Sequence, residues 1–182
     1  MSRSLLTVPA SALVLACTAQ FGPQHFAFES DVQYPWRILF ADLNGDGHAD
    51  AISNENYELY WWANDGSGVF GERQFLFSQN LSSSSLLVAT DVDTDGDTDL
   101  ICQGGWWAND SLGNFTFGNN INPYLTLAMV GDLDGDGDPD LVGRTGVLNG
   151  NIIIPFFGTI INDGNGNFTD GVSLGTMSGN AV

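Results

Sequence analysis

Three nine-residue acidic segments constrain this chain more than any other feature. They read Asp42-Leu43-Asn44-Gly45-Asp46-Gly47-His48-Ala49-Asp50, Asp91-Val92-Asp93-Thr94-Asp95-Gly96-Asp97-Thr98-Asp99 and Asp132-Leu133-Asp134-Gly135-Asp136-Gly137-Asp138-Pro139-Asp140. Each has side-chain oxygens at places one, three, five and nine, and glycine at place six. Together they hold three, five and five of the 22 carboxylates in a chain of net charge −18. Like charges this close repel unless a cation lies between them. A hard divalent cation takes about six to eight oxygens, and Ca2+ tolerates irregular geometry better than Mg2+. Glycine at place six lets the backbone turn sharply around an ion. Place seven then offers its backbone carbonyl, so His48, Asp97 and Asp138 are free to differ there.

The EF-hand is the obvious rival, and it fails. It needs a bidentate Glu at the twelfth place, where this chain has Ser53, Cys102 and Gly143. It also needs flanking helices. Here short apolar runs such as Ile38-Leu39-Phe40 and Leu100-Ile101 flank the loops, and such runs bounded by turn residues read as strands. Each loop is therefore expected inside a β-hairpin, with Asp at place nine standing in for the distal Glu.

A second motif keeps the same rhythm. Trp61-Trp62-Ala63-Asn64-Asp65-Gly66 is echoed by Trp106-Trp107-Ala108-Asn109-Asp110-Ser111 and, more loosely, by Ile160-Ile161-Asn162-Asp163-Gly164. Asn-Asp-Gly between apolar runs is a hairpin signal. A third echo pairs Phe21–Phe28 with Phe70–Phe77 at a shift of 49, the shift that also separates the first two acidic loops. One unit reads strand, acidic loop, strand, link, aromatic strand, turn, outer strand. Four strands per 40–50 residues are expected of a β-propeller blade. The chain is read as all-β, with blades of four antiparallel strands at about 37–77, 86–117 and 127–170 and an extra strand at 21–28.

These motifs resemble the FG-GAP/VCBS repeat family, the calcium-loop propeller blades also found in integrin α-subunit heads. The likeness spans roughly residues 20–170, and the segment 132–142 carries it best. It implies about three Ca2+ sites, with side-chain ligands Asp42, Asn44, Asp46 and Asp50, then Asp91, Asp93, Asp95 and Asp99, then Asp132, Asp134, Asp136 and Asp140. His48, Asp97 and Asp138 complete the sites through place seven. Loop one has Asn44 in place of a carboxylate, so its affinity is expected to be the weakest. Family propellers are commonly seven-bladed, and three blades do not close a ring. The expectation is a segment of a longer propeller or a self-associating chain, since an open arc exposes sheet edges. A further alternative pairs the tail Ser173–Val182 with strand 21–28 in a minimal fourth blade.

Residues 1–19 read as a signal peptide, with Arg3, an apolar stretch and the small-x-small end Cys17-Thr18-Ala19. Leu15-Ala16-Cys17 also resembles, weakly, a lipoprotein site, and a strand in the first partial blade is the structural alternative. Residues 20–182 form the propeller segment. Secretion suits the loops, because sites of this kind fill at extracellular millimolar calcium. Cys17 and Cys102 are the only cysteines, and Cys102 is expected to be an inert buried thiol. Sequons begin at Asn80, Asn109, Asn114 and Asn167.

No catalytic set emerges. His48 sits in a calcium loop with its ring expected toward solvent, and His25 in an outer strand. Glu29, Asp31, Glu55, Glu58 and Glu72 offer no distinguished pair for glycosidase chemistry. Asp65, Asp110 and Asp163 are expected to shape hairpin turns. One ring of each Trp pair is expected to pack between blades and the other to face outward, where it could stack on sugars. The negative charge excludes nucleic acid and anionic membrane surfaces as partners, and the apolar N-terminal stretch is too short and interrupted for membrane insertion. The reading is a non-catalytic extracellular module for adhesion to, or recognition of, protein or glycan ligands. The alternatives are a self-assembling structural subunit, a homo-oligomer joined through open blade edges, and a propeller part of a larger secreted carbohydrate-active enzyme.

Overall fold

The computed structural model describes residues 37–55, 57–78, 87–102 and 104–176. Twelve strands form three antiparallel four-stranded sheets, each in sequence order from its first strand to its last. Blade one is β1 (Arg37–Ala41), β2 (Asp50–Glu55), β3 (Glu58–Trp62) and β4 (Gln74–Ser78). Blade two is β5 (Leu87–Thr90), β6 (Asp99–Cys102), β7 (Gly105–Asn109) and β8 (Phe115–Asn120). Blade three is β9 (Leu127–Gly131), β10 (Asp140–Asn149), β11 (Ile152–Asn162) and β12 (Phe168–Thr176). The first strands β1, β5 and β9 lie beside one another, so they are the inner strands of the arc. The all-β blade architecture and the order of its parts match the sequence reading.

Each acidic loop joins the first two strands of its blade, closing pairs such as Ala41↔Asp50 and Thr90↔Asp99. Place six is left-handed in all three loops, at Gly47 (φ 84°), Gly96 (φ 98°) and Gly137 (φ 99°). Place four is left-handed too, and Thr94 adopts φ 60° there without being glycine. Sequence reasoning had singled out only place six.

Two apolar cores lie between blades. Leu39, Leu43, Ile52, Trp61 and Ala63 of blade one meet Leu87, Leu100 and Trp107 of blade two. Val88, Val92, Ile101, Trp106 and Ala108 of blade two then meet Ala128, Leu141 and Ile160 of blade three. The five residues that blade two presents forward are the repeat equivalents of the five that blade one presents. One packing solution is thus used twice. Phe77 stacks on Trp107 across the first junction at 4.7 Å between ring centroids.

This arrangement corrects the expectation for the tryptophan pairs. Strand alternation does put the two rings on opposite faces, but Trp61, Trp62, Trp106 and Trp107 are all buried. No ring of either pair is therefore left for stacking on a sugar. Of the tail, only 173–176 are described. Residues 173–176 continue β12, with Ser173 opposite Gly158 and Thr176 opposite Phe156, and so belong to blade three. The signal-peptide assignment, strand 21–28, His25, Glu29, Asp31 and Asn80 lie outside the described residues.

Candidate metal centres

The ninth-place aspartates do something the sequence reading did not foresee. Asp50, Asp99 and Asp140 are fully buried. In each, one carboxylate oxygen accepts the N–H of the loop's second residue: Leu43 at 3.0 Å, Val92 at 2.8 Å and Leu133 at 2.8 Å. The other oxygen accepts the N–H of the turn asparagine in the same blade: Asn64 at 2.8 Å, Asn109 at 2.8 Å and Asn162 at 2.9 Å. The aspartate therefore clasps the acidic loop to the Asn-Asp-Gly turn. Burial is the main reason that the Asp99 carboxyl is pushed up to about 6, and it raises Asp50 for the same reason.

The turn asparagines carry the next link. Asn109 donates through Nδ2 to the Leu43 carbonyl at 2.9 Å and to the Thr98 carbonyl at 3.0 Å. Asn162 donates to the Val92 carbonyl at 2.7 Å. Each thus reaches into the loop of the preceding blade. The clue in the sequence was the asparagine that recurs in all three turns. Asn109 is buried and occupied, so its sequon is not an accessible acceptor. Beside these residues, Asp65, Asp110 and Asp163 shape the turns as expected. Asp65 accepts from Ser67 and Val69, Asp110 from Leu112 and Asn114, and Asp163 from Asn165 and Asn167. Side-chain hydrogen bonds, from Ser67, Asn114 and Asn167 respectively, are the main cause that holds these three carboxyls below the usual range.

The first-place aspartates organise each loop from within. Asp42 accepts N–H groups of Gly45, Asp46 and Gly47 at 2.9, 3.2 and 2.7 Å. Asp91 accepts those of Asp95 and Gly96 at 3.1 and 3.0 Å. Asp132 accepts that of Gly135 at 2.7 Å. Two loops gather carboxylate oxygens tightly. One oxygen each from Asp91, Asp93 and Asp99, and one each from Asp132, Asp134 and Asp136, lie within 4.8 Å of one another. Asp93 Oδ1 is buried with no hydrogen-bond partner. Burial, then the Asp95 and Asp91 charges, raise the Asp93 carboxyl. An orphaned buried anionic oxygen beside two further carboxylates is the donor set a hard cation fits. Among the described residues, loop one assembles no such three-carboxylate group, in keeping with Asn44 at its third place.

At place seven the side chains approach the neighbouring turn. The His48 ring lies against Gly66, and the Asp138 carboxylate lies against Gly164. Asp97 accepts the Ser111 hydroxyl. His48 stays exposed, as expected, while Asp97 and Asp138 are half-buried beside that turn.

Residues 42–102 match the family model of the FG-GAP-like repeat. This stretch is an FG-GAP-like repeat. It contains loops one and two with the strands between them, and the third blade repeats the geometry outside the matched residues. No curated protein matches the chain. Solved structures similar to it include a lectin and a toxin pore. One is an Agrocybe aegerita lectin, described for specific recognition of non-reducing terminal N-acetylglucosamine, with 19% identity, TM-score 0.48, and coverage of 77% of this chain and 52% of that one. The other is the Photorhabdus luminescens Tc holotoxin pore, with 21% identity, TM-score 0.47, and coverage of 79% of this chain and 7% of that one. The chain thus spans about half the length of the first and a small part of the second.

Proposed function

We propose that the chain is a secreted, non-catalytic, Ca2+-binding propeller module that recognises a protein or glycan ligand. The observation that carries the calcium reading is the pair of three-carboxylate groups, with the partnerless Asp93 Oδ1 inside one of them. Asp91, Asp93, Asp95 and Asp99 would hold one ion, and Asp132, Asp134, Asp136 and Asp140 another. Asp42, Asn44, Asp46 and Asp50 would hold a weaker one. The ion's contribution is to cancel the repulsion within each loop. The chain's own clasps then tie the loop to its turn and to the next blade.

A cavity of about 330 Å3 supports the recognition reading. Tyr124 and Phe168 offer apolar ring surface there, and Asn122 and Asp170 offer polar groups. Asn122 donates to Asp170 at 2.9 Å, which fixes both side chains. A concave site with ring surface and a few oriented polar groups suits a sugar or a polar peptide side chain. The carboxylates outside the loops favour structure over chemistry. Glu55 is buried and paired with Arg73 at 2.9 Å, and Glu58 accepts the Tyr60 hydroxyl. Burial pushes the Cys102 thiol up, away from nucleophilic duty.

Thermal melts with calcium and with chelator test the ion. Each filled site adds about 3 kcal/mol at a hundredfold excess over Kd, so chelation lowers Tm by many degrees. An unchanged melt refutes the calcium reading. A glycan and peptide array with Tyr124→Ala and Asp170→Asn as controls tests the cavity. Binding unaffected by both substitutions refutes it.

A further inference from the structure

The cavity beside blade three is built from three pieces of chain whose polar groups are already largely committed. The link 121–126 supplies Asn122 and Tyr124, β10 supplies Val147 and Leu148, and β12 supplies Phe168 and Asp170. Ile121 and Leu125, 4% and 1% exposed, pin the link to the core. Asn122 has both amide hydrogens engaged, toward Asp170 Oδ1 at 2.9 Å and the Gly146 carbonyl at 3.3 Å. Its own Oδ1 accepts the Tyr124 N–H at 3.0 Å. Asn122 therefore has no N–H left for a ligand. Among the described residues, the second Asp170 oxygen has no hydrogen-bond partner and no cation beside it: Arg73 holds Glu55, and Arg144 pairs with no carboxylate. What the cavity still offers is that carboxylate oxygen, the Tyr124 hydroxyl, two aromatic rings, and the aliphatic side chains of Val147 and Leu148, 43% and 59% exposed.

We infer that this cavity takes a lysine side chain of another protein, its ammonium on Asp170 and its stem along Val147 and Leu148. The inference rests on the recognition reading of the same cavity and narrows its ligand. An ammonium brings three donors and no acceptor to a site whose free carboxylate oxygen can only accept. Tyrosine and phenylalanine rings attract a cation at their faces. A four-carbon stem covers aliphatic surface while its charged head stays at the rim. An anionic ligand would meet Asp170 as a like charge. Arginine recognises a carboxylate best through two parallel bonds, and Asn122 already holds one of the two Asp170 oxygens. A quaternary ammonium has no N–H for the other. The sequence contains no lysine, so a second copy of these residues does not supply the side chain. The net charge of −18 favours encounter with a basic partner. The rim continues into exposed Ile152 and Ile153 of the same hairpin, surface that a protein covers and a small free amine does not.

A peptide array probed with the full chain in calcium reads the outcome, each lysine peptide being printed also with Nε-acetyl-lysine, arginine or norleucine at that position. Lysine peptides should bind, and each replacement should weaken binding by about tenfold or more. Asp170→Asn keeps the size of the side chain and an acceptor for Asn122. It should leave the melt unchanged and lower lysine-peptide affinity by about tenfold. Butylamine, the same head and stem without a peptide, should compete far more weakly than the best peptide. Equal potency would make a free amine the ligand and overturn the protein partner. Lysine-peptide binding indifferent to Asp170→Asn, or to replacement by norleucine, would overturn the inference. So would binding of a glycan or a lysine-free peptide that Tyr124→Ala abolishes, although that result leaves the recognition reading standing. No binding that either substitution alters would overturn both.

Discussion

Blade two and blade three are built from one repeat, yet they live in different surroundings. Blade two is covered on both faces, and its inner apolar residues are buried between its neighbours. Blade three is covered on one face. Its β10–β11 hairpin is about twice as long as those of the other blades and turns at Gly150, φ 64°. It exposes Val147, Leu148, Ile152 and Ile153 near the hairpin tip. The difference teaches that the repeat encodes a blade with two hungry faces. Burial of each face depends on what stands beside it.

The largest test of this comparison is at the tryptophan position. Trp106 is buried between blades and donates through Nε1 to the Gly166 carbonyl at 2.9 Å. Trp106→Ala should cost about 3–5 kcal/mol in urea unfolding. Thr159→Ala at the equivalent place in blade three should cost only about 1 kcal/mol, for the bond it accepts from Val172. Equal losses at the two sites would erase the distinction between covered and open faces.

A smaller effect separates the clasp from the ion. Asp99 is pushed up to about 6 by burial, above its ordinary 3.8. A raised folded-state pKa means that its contribution is fully present below the ordinary value and lost as pH rises through 6. In chelator, lowering pH from 7 to 5 should therefore stabilise the protein by about 1 kcal/mol from this group. In saturating calcium the sign should reverse, because protons then compete with the ion. Melts across that window in both buffers read the two slopes, and parallel slopes would count against an ion at Asp99.

The finest comparison is between asparagines. Both side chains accept two N–H groups within their own turn and donate to a nearby loop carbonyl, but Asn109→Ala also removes the cross-blade bond to the Leu43 carbonyl. Asn109→Ala should be the more damaging by about 1 kcal/mol. Equal losses would mean that the cross-blade bond adds nothing.

Much of this was legible in the sequence because each blade is a local object. The loop spacing, the glycine at place six and the Asn-Asp-Gly turns sit within one hairpin each, so chain order alone specified strands, loops and the carboxylates that gather around an ion. Asp65, Asp110 and Asp163 were legible as turn residues for the same reason. What joined one blade to the next was not legible. Asn109 and Asn162 reach carbonyls 66 and 70 residues away, and no local pattern announces such a partner. The second ring of each Trp pair looked solvent-facing because alternation fixes only which side of a sheet a side chain takes. Whether that side is wet or buried was decided by the neighbouring blade. The sequence by itself determined the blade and its loops, since hairpin geometry is set by neighbours in the chain. Only the tertiary structure decided which faces are covered among the described residues, and that the ninth-place aspartates are clasps as well as candidate ligands.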